Sequence, residues 1–509
     1  METKEGSMGS PRDRKGKRVA EKVDNESKSQ QLGVSFTDLP SHISTDILLR
    51  LPIKSILICK CVCPSWKALI SDPHFTKLHF QHASTGFMIR ANAPYLVSRI
   101  LHLLEFEPEK IEKDDDDDQF CFCEDLSIKP ECNSHLKLEN KLKLPLRDAK
   151  LVLDKRDETE KRGRQGHYIS SKPEDDKFAV VNSCNGLLCL CDPSRDNFVV
   201  CNPVSGEFIR LPKATSVHNI SDIWHQEIYC GFGLLPKTNE YKVVRILKMY
   251  GGLHSPKTTK FMGVDMYTLG TTTWKNVDVD PENFKWLLMC TDKWLGFPTC
   301  VSGALHWIDF YHYAILCFDF ESERFQSFPS PPLLFQNKHS PWNITMGELR
   351  GSLHICDSSS SSSVSTPVKM WIMKKYGFGE SWTKVFSIDT MSRDRWPYGG
   401  LYWPVKHFKN GAAILMYHSS NCFIYYEPEK YGFKIFKVRG TQYTFEVIPH
   451  IPNLISLKDA VKGDNIEVLN IHSRCAQFQL HEENEVLFLA KVNGEVANVH
   501  SISSDDEDD

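Results

Sequence analysis

The chain lacks the features that would mark a membrane, secreted or nucleic-acid-binding protein. No apolar run reaches the ~18 residues that a spanning helix needs. The opening stretch, METKEGSMGSPRDRKGKRVAEK, holds no apolar segment of the kind a secretory signal carries. The Asn-x-Ser/Thr matches at Asn219 and Asn343 are therefore expected to be chance, and the chain is expected in the cytoplasm, the nucleus or both. Positive charge is not in excess: 61 Lys and Arg against 65 Asp and Glu leave a net charge of −4. That balance gives no electrostatic case for nucleic acid, whose binders carry a basic stripe.

Catalytic signatures are missing as well. There is no H-E-x-x-H, no G-x-S-x-G and no P-loop. The glycines of Gly231–Gly233 and Gly377–Gly379 stand in strand-and-turn contexts rather than ahead of a helix, so no phosphate site is expected. The 20 histidines are spread without metal spacing. His306 and His354 fall at the same place in two repeats, which favours a structural role. The 17 cysteines include the C-x-C pairs Cys61/Cys63, Cys121/Cys123 and Cys189/Cys191. On a strand such a pair shares one face and suits a soft metal. No second pair stands behind any of them at zinc-finger spacing, so free thiols in a reducing compartment are expected, with no metal and no cofactor.

What is present begins near the front. Residues 1–34 are polar and without periodicity, which predicts a disordered tail. From Phe36 the sequence turns aliphatic. Ile43, Ile47, Leu48 and Leu51 are spaced as one stripe of a helix. Pro52, Pro64 and Pro73 each suit the first turn of a further short helix, and Asp72 suits an N-cap. The result is a helical module over residues 35–80, at the lower edge of what folds alone and with more apolar surface than its small interior can bury. That surface packs on the rest of the chain or docks a partner; periodicity does not choose between the two.

From about residue 81 the pattern changes to alternating β-branched and aromatic residues. An acidic and polar insertion covers about 107–177, and its Asp114–Asp118 run reads as a solvated loop. The stretches from Gly186, Gly303 and Gly411 share one order: glycine, strand, turn, strand, polar turn, strand. Each places an aromatic 22 positions after its glycine, at Phe208, Phe325 and Phe433. Stretches from Gly351 and Gly231 repeat the scheme and end on Trp382 and Trp274. A unit of three or four strands recurring every ~50 residues predicts a β-propeller over 81–500, with degenerate copies in 81–180 and after 440 and with six to eight blades. The repeated aromatics are expected to pack between blades. Residues 501–509 are an acidic tail.

The residues also carry a family resemblance. DLPSHISTDILLRLPIKSILICKCVCPSWKALISDPHF resembles an F-box, and SCNGLLCL, NPVSGEFIRLP, GFGLLPKTNEYKVVRI, ILCFDFESERF and WIMKKYGFGESW resemble the F-box-associated, kelch-like region of a large plant family. Ser41 and His42, and Ile58 and Cys59, depart from the usual F-box pattern. The resemblance implies a small all-α F-box module followed by an all-β propeller. It implies a non-catalytic substrate receptor of a Skp–cullin–F-box ubiquitin ligase. The F-box would dock a Skp-type adaptor, and through it a cullin–RING ligase; the propeller would hold an unidentified protein substrate. By the family motif, Leu39, Pro40, Ile47, Leu48, Leu51, Pro52, Ile53, Leu57, Val62 and Trp66 would form or support the adaptor contact. Target specificity is expected on rim loops, with Lys213–Glu227, Tyr250–Lys260 and Phe335–Ile344 as candidates. An F-box scaffold or inhibitor acting outside a complete ligase is the alternative, and an enzyme on a propeller is a third class.

Overall fold

The computed structural model describes residues 39–83, 85–93, 96–104, 135–136, 140–145, 149–150, 179–192, 195–214, 225–250, 259–278, 298–309, 314–332, 334, 343–358, 367–389, 400–408, 413–429, 432–438, 445–461 and 466–472. The tail at 1–34, the Asp114–Asp118 run, Cys121/Cys123, Asn219 and the acidic end lie outside them. The chain divides into two units, Met1–Ile47 and Leu48–Asp509.

The proline-punctuated segment forms four helices: α1 (Ser41–Leu49), α2 (Ile53–Cys59), α3 (Pro64–Ile70) and α4 (Pro73–His82). Pro64 and Pro73 sit in the first turns of α3 and α4, where the missing N–H costs nothing. Asp72 caps α4, its Oδ1 accepting the N–H of His74 at 2.8 Å and of Phe75 at 3.2 Å. Pro52 differs slightly from expectation: it is the extended residue just before α2, at φ −57° and ψ 151°.

The remainder is a β-propeller of six blades, each built on four antiparallel strands; in blade 6 His135–Leu136 adds a short parallel strand beside Gly432–Val438. Blade 2 runs through Ala179–Cys184, Leu187–Cys191, Phe198–Asn202 and Glu207–Arg210. Blade 3 takes His225–Leu235, Glu240–Tyr250, Thr259–Thr268 and Lys275–Val277, and blade 4 takes Thr299–Val301, Ala304–Asp309, Ala314–Asp319 and Arg324–Phe328. Blade 5 is Ile344–Leu349, Ser352–Asp357, Val368–Met373 and Trp382–Ile388, and blade 6 is Tyr402–His407, Ile414–His418, Cys422–Glu427 and Gly432–Val438. The two stretches expected to hold degenerate copies are halves of a single blade. Blade 1 joins Gly86–Ala93, Leu96–Leu104 and Asn140–Lys143 to Phe445–His450, which pairs with Gly86–Ala91. At that seam Arg90, largely buried, pairs with Glu446 at 2.7 Å.

The blades are apolar on both faces, and each layer between neighbours is a separate core. Leu188, Leu190 and Phe208 pack with Met88 and Ile448, while Cys189 and Val200 on the opposite face pack with Phe232 and Val243. The series continues through Val264 with Phe318, Ile315 with Trp382, and Met370 with Phe433. It ends where Leu415 and Phe423 of blade 6 meet Phe87 and Ile89 of blade 1. Six blades give six such layers, so among the described residues the ring is closed. The recurring aromatics Phe208, Phe325, Phe433 and Trp382 are all buried in these layers, as interblade packing requires. Trp274 and Trp382 add one device: each indole N–H donates to a proline carbonyl at the end of the preceding blade, Pro212 at 2.8 Å and Pro329 at 3.0 Å.

In three of the five copies the repeated glycine is the second residue of a two-residue hairpin turn; Gly231 instead lies inside the first strand of blade 3, paired with Val244, and Gly411 lies outside the described residues. Asn185–Gly186 (φ +46° and +79°), Ser302–Gly303 (+53° and +80°) and Arg350–Gly351 (+53° and +78°) carry the paired positive φ of a type I′ turn. A Cβ on Gly186 would lie 2.2 Å from the Asn453 Cβ, whereas one on Gly351 meets nothing within 4 Å. Gly351→Ala is therefore expected to cost about 1–2 kcal/mol for the left-handed backbone alone. Gly186→Ala should cost about 1–3 kcal/mol more for the overlap. Denaturant midpoints of the two variants check this difference.

Candidate docking surface

The short helices spread their apolar side chains over three directions. Ile56, at one face of α2, is fully buried with Leu48, Ile70 and Phe75 in the interior of the module. Ile53 and Leu57, four residues apart on the same helix, turn instead to the layer between blades 1 and 2. Leu454, on the chain leaving blade 1, packs against both clusters and joins them. The third direction is open. Ile58 stays 59% exposed and Val62 62% exposed in the turn after α2. That turn is fixed by the N–H of Cys61 to the Ile58 carbonyl at 2.9 Å and of Val62 to the Cys59 carbonyl at 3.1 Å. In α1, Ile43 and Ile47 are 38% and 37% exposed. Withdrawing one such side chain from water contributes about 1–2 kcal/mol at this degree of exposure.

The ten residues implied by the resemblance therefore divide. Pro40, Ile47 and Val62 are exposed. Leu39, Leu51, Pro52, Leu57 and Trp66 are half-buried, and Leu48 and Ile53 are buried within this chain. The last two are not open to a partner. Pro40 also serves the start of α1, its carbonyl accepting the N–H of Ile43 at 3.0 Å and of Ser44 at 3.2 Å. Ile43 and Ile58 are the exposed apolar residues that the motif did not name. For Ile58 the signal was present as a departure from the family pattern, an aliphatic residue beside Cys59.

Some of the propeller's titratable groups are buried ties between strands. The Ser183 hydroxyl lies 3.0 Å from His450 Nδ1 and links the inner strands of blades 2 and 1. His306 lies 3.2 Å from the Thr299 carbonyl through Nδ1 and 3.0 Å from the Tyr376 hydroxyl through Nε2, which crosses from blade 4 to blade 5. His306 and His354 are both buried, in keeping with a structural role. Among the described residues no group of three His, Cys, Asp or Glu is placed to hold a metal.

Burial holds these imidazoles neutral. It lowers His306 to about 4, and His354 and His450 to about 3. A folded pKa below the unfolded value of ~6.5 means that the unfolded chain binds protons the folded one refuses. Their stabilisation is thus complete above pH ~6.5 and is lost as pH falls towards 4. Between pH 6.5 and 5 each such histidine removes up to about 2 kcal/mol. Denaturant melts across that range should show the loss, and His306→Gln should flatten the slope.

Comparison with known proteins places this architecture. An F-box associated beta propeller domain matches residues 142–457, and an F-box domain matches residues 36–78. The chain belongs to the F-box-associated β-propeller family. Its similar proteins include the F-box protein At3g07870 of Arabidopsis thaliana, 25% identical over 485 residues that cover 88% of this chain and 98% of the relative. The F-box/kelch-repeat protein At3g23880 of the same plant is 25% identical over 398 residues, covering 75% and 88%. The F-box protein CPR1 is 23% identical over 362 residues, covering 69% and 73%. In these terms α1–α4 are the F-box, in which Ile58 and Val62 stand exposed after α2 and Ile43 and Ile47 stand exposed in α1. The F-box enters the propeller where Gly86 pairs with His450, the end at which the type I′ turns lie. The three stretches expected to carry specificity fall largely outside the described residues. The strand ends beside them, His225, Tyr250 with Thr259, and Ile344, are at the opposite rim.

Proposed function

We propose that the protein is the substrate-recognition subunit of a Skp–cullin–F-box ubiquitin ligase. The F-box binds a Skp-type adaptor through the exposed aliphatic surface, and the propeller holds a protein destined for ubiquitination and degradation. One observation carries this reading: the F-box uses Ile53 and Leu57 against the propeller and still presents Ile58 and Val62 to solvent. No chemistry is required of the chain itself. Its contribution is proximity, which raises the effective concentration of target lysines at a charged conjugating enzyme. Work in the cytoplasm or nucleus belongs to the same proposal. The free thiols among the described cysteines suit a reducing compartment.

The test is affinity capture with the proteasome blocked, comparing the intact chain with the Ile58→Asp, Val62→Asp double variant. Point changes are preferable to deleting residues 36–76, which would bare the blade 1–2 layer that Ile53 covers. The intact chain should bring down adaptor, cullin and ubiquitinated proteins that persist longer in cells expressing the variant. An adaptor without a cullin, or proteins whose lifetimes do not respond, would favour a scaffold outside the ligase.

A further inference from the structure

Among the described residues, six large apolar side chains stand exposed, and four of them are the F-box residues above. The other two, Phe378 and Val385, are both in blade 5. Phe378 is 50% exposed at the crest of the turn between the third and fourth strands of that blade. The turn is heavily tied. Ser381 Oγ lies 2.7 Å from the carbonyls of both Lys375 and Phe378 and accepts the Lys375 N–H at 3.1 Å. The Ser381 N–H donates to the Phe378 carbonyl at 2.9 Å, and the Lys374 N–H donates to the Ser381 carbonyl at 3.2 Å. Gly377 supplies φ +82°. At its base Trp382 holds the Pro329 carbonyl of blade 4 at 3.0 Å. An exposed ring on a backbone fixed this way loses little further freedom on binding, which is the character of an anchor.

The charge carried by the turn and the strand after it is mainly positive. Lys374, Lys375 and Lys384 are exposed, against the single carboxylate of Glu380 between them. The Lys375 ammonium lies 3.9 Å from the Phe378 ring centroid, so a carboxylate that meets this lysine arrives beside the ring. The sign opposes that of the whole chain, at −4. We propose that the Phe378 turn is a target-recognition anchor, and that its partner is a protein segment carrying acidic residues next to an exposed apolar side chain. This rests on the receptor reading and gives it a site and a ligand chemistry.

The experiment pans the purified full chain, with and without a Skp-type adaptor, against a library of random peptides of about a dozen residues, then titrates enriched peptides by fluorescence anisotropy. Enriched peptides should combine Asp or Glu with a large apolar residue. Phe378→Ala should weaken them by about tenfold or more. Lys374→Glu with Lys375→Glu should do the same, Phe378→Trp should retain binding, and melting temperatures should stay unchanged. Enriched peptides of other composition, or acidic peptides indifferent to Phe378→Ala, would overturn the proposal. So would displacement of the selected peptides by one spanning residues 501–509, because the chain's own acidic end would then be the occupant. Failure to form the adaptor complex counts against the receptor reading instead, and is read separately on the same samples.

Discussion

Replacing Ile58 and Val62 together by Asp is expected to abolish adaptor capture while leaving the melting temperature of the protein within a degree or so. Both side chains already meet water, at 59% and 62% exposure, so the folded chain loses little when they become polar. An interface loses more. It forfeits two apolar contacts and must desolvate two carboxylates with no partner, a combined effect of about 3 kcal/mol or more, or a hundredfold in affinity. Leu39→Ala with Pro40→Ala should act in the same direction, because Pro40 is exposed and Leu39 half-buried, so both truncations remove apolar area a partner could cover. Ile53→Ala is the contrasting control. Its side chain is buried against blades 1 and 2, so it should lower stability by about 2–5 kcal/mol. Pull-down titrations and thermal melts on one set of samples separate the two effects. Undiminished capture by the double Asp variant would remove Ile58 and Val62 from the interface.

The second large effect lies far from the F-box. Asp196→Ala is expected to cost about 3–5 kcal/mol, because it takes the nearer of two carboxylates from a buried cation. Arg245, with a fully buried side chain on the second strand of blade 3, pairs with Asp196 of blade 2 at 2.8 Å and with Asp265 of its own blade at 3.5 Å. It also donates to the Arg195 carbonyl at 3.4 Å. Burial raises the Asp265 carboxyl, and the guanidinium pulls it back down. The Asp196 loop is held in turn by Asp192, whose Oδ1 accepts the N–H of Asp196 at 3.0 Å and of Asn197 at 3.1 Å. Arg245→Met combined with Asp196→Ala should cost less than the two single changes added together, since the double variant leaves no unpaired charge between these two residues. Denaturant unfolding of the three variants measures that difference.

Much of this was legible in the sequence because it repeats. The glycine at the head of three units, Gly186, Gly303 and Gly351, marks a turn that only a residue tolerant of positive φ accepts, and the aromatics Phe208, Phe325, Phe433 and Trp382 mark interblade layers. Motif residues also acquired mechanisms. Asn202 of NPVSGEF donates to the carbonyls of Asn453 and Ile455, both at 2.9 Å, and accepts the N–H of Val204 at 3.0 Å, which pins the late chain to blade 2. The repeats bound the blade number only to six to eight, because the seam is not local. Gly86–Ala91 and Phe445–His450 pair across most of the chain, and neither half shows the full repeat. The division of the F-box surface was hidden for a related reason. Periodicity marks Ile53, Ile56, Leu57 and Ile58 alike as apolar; only the packing of blades 1 and 2 and of α3 and α4 decides which remain free. The Phe378 anchor had no pattern at all, because a lone aromatic in a turn reads like its buried counterparts until its exposure is known.

The central claim is that the F-box keeps an aliphatic surface free of the propeller for a separate polypeptide. Hydrogen exchange of the full chain, alone and saturated with a Skp-type adaptor, tests it most directly. The account predicts a one-to-one complex in which amides of α1 and of residues 58–62 slow markedly while those of the blades do not change. No complex, or protection confined to the propeller with residues 58–62 exchanging as before, would contradict it.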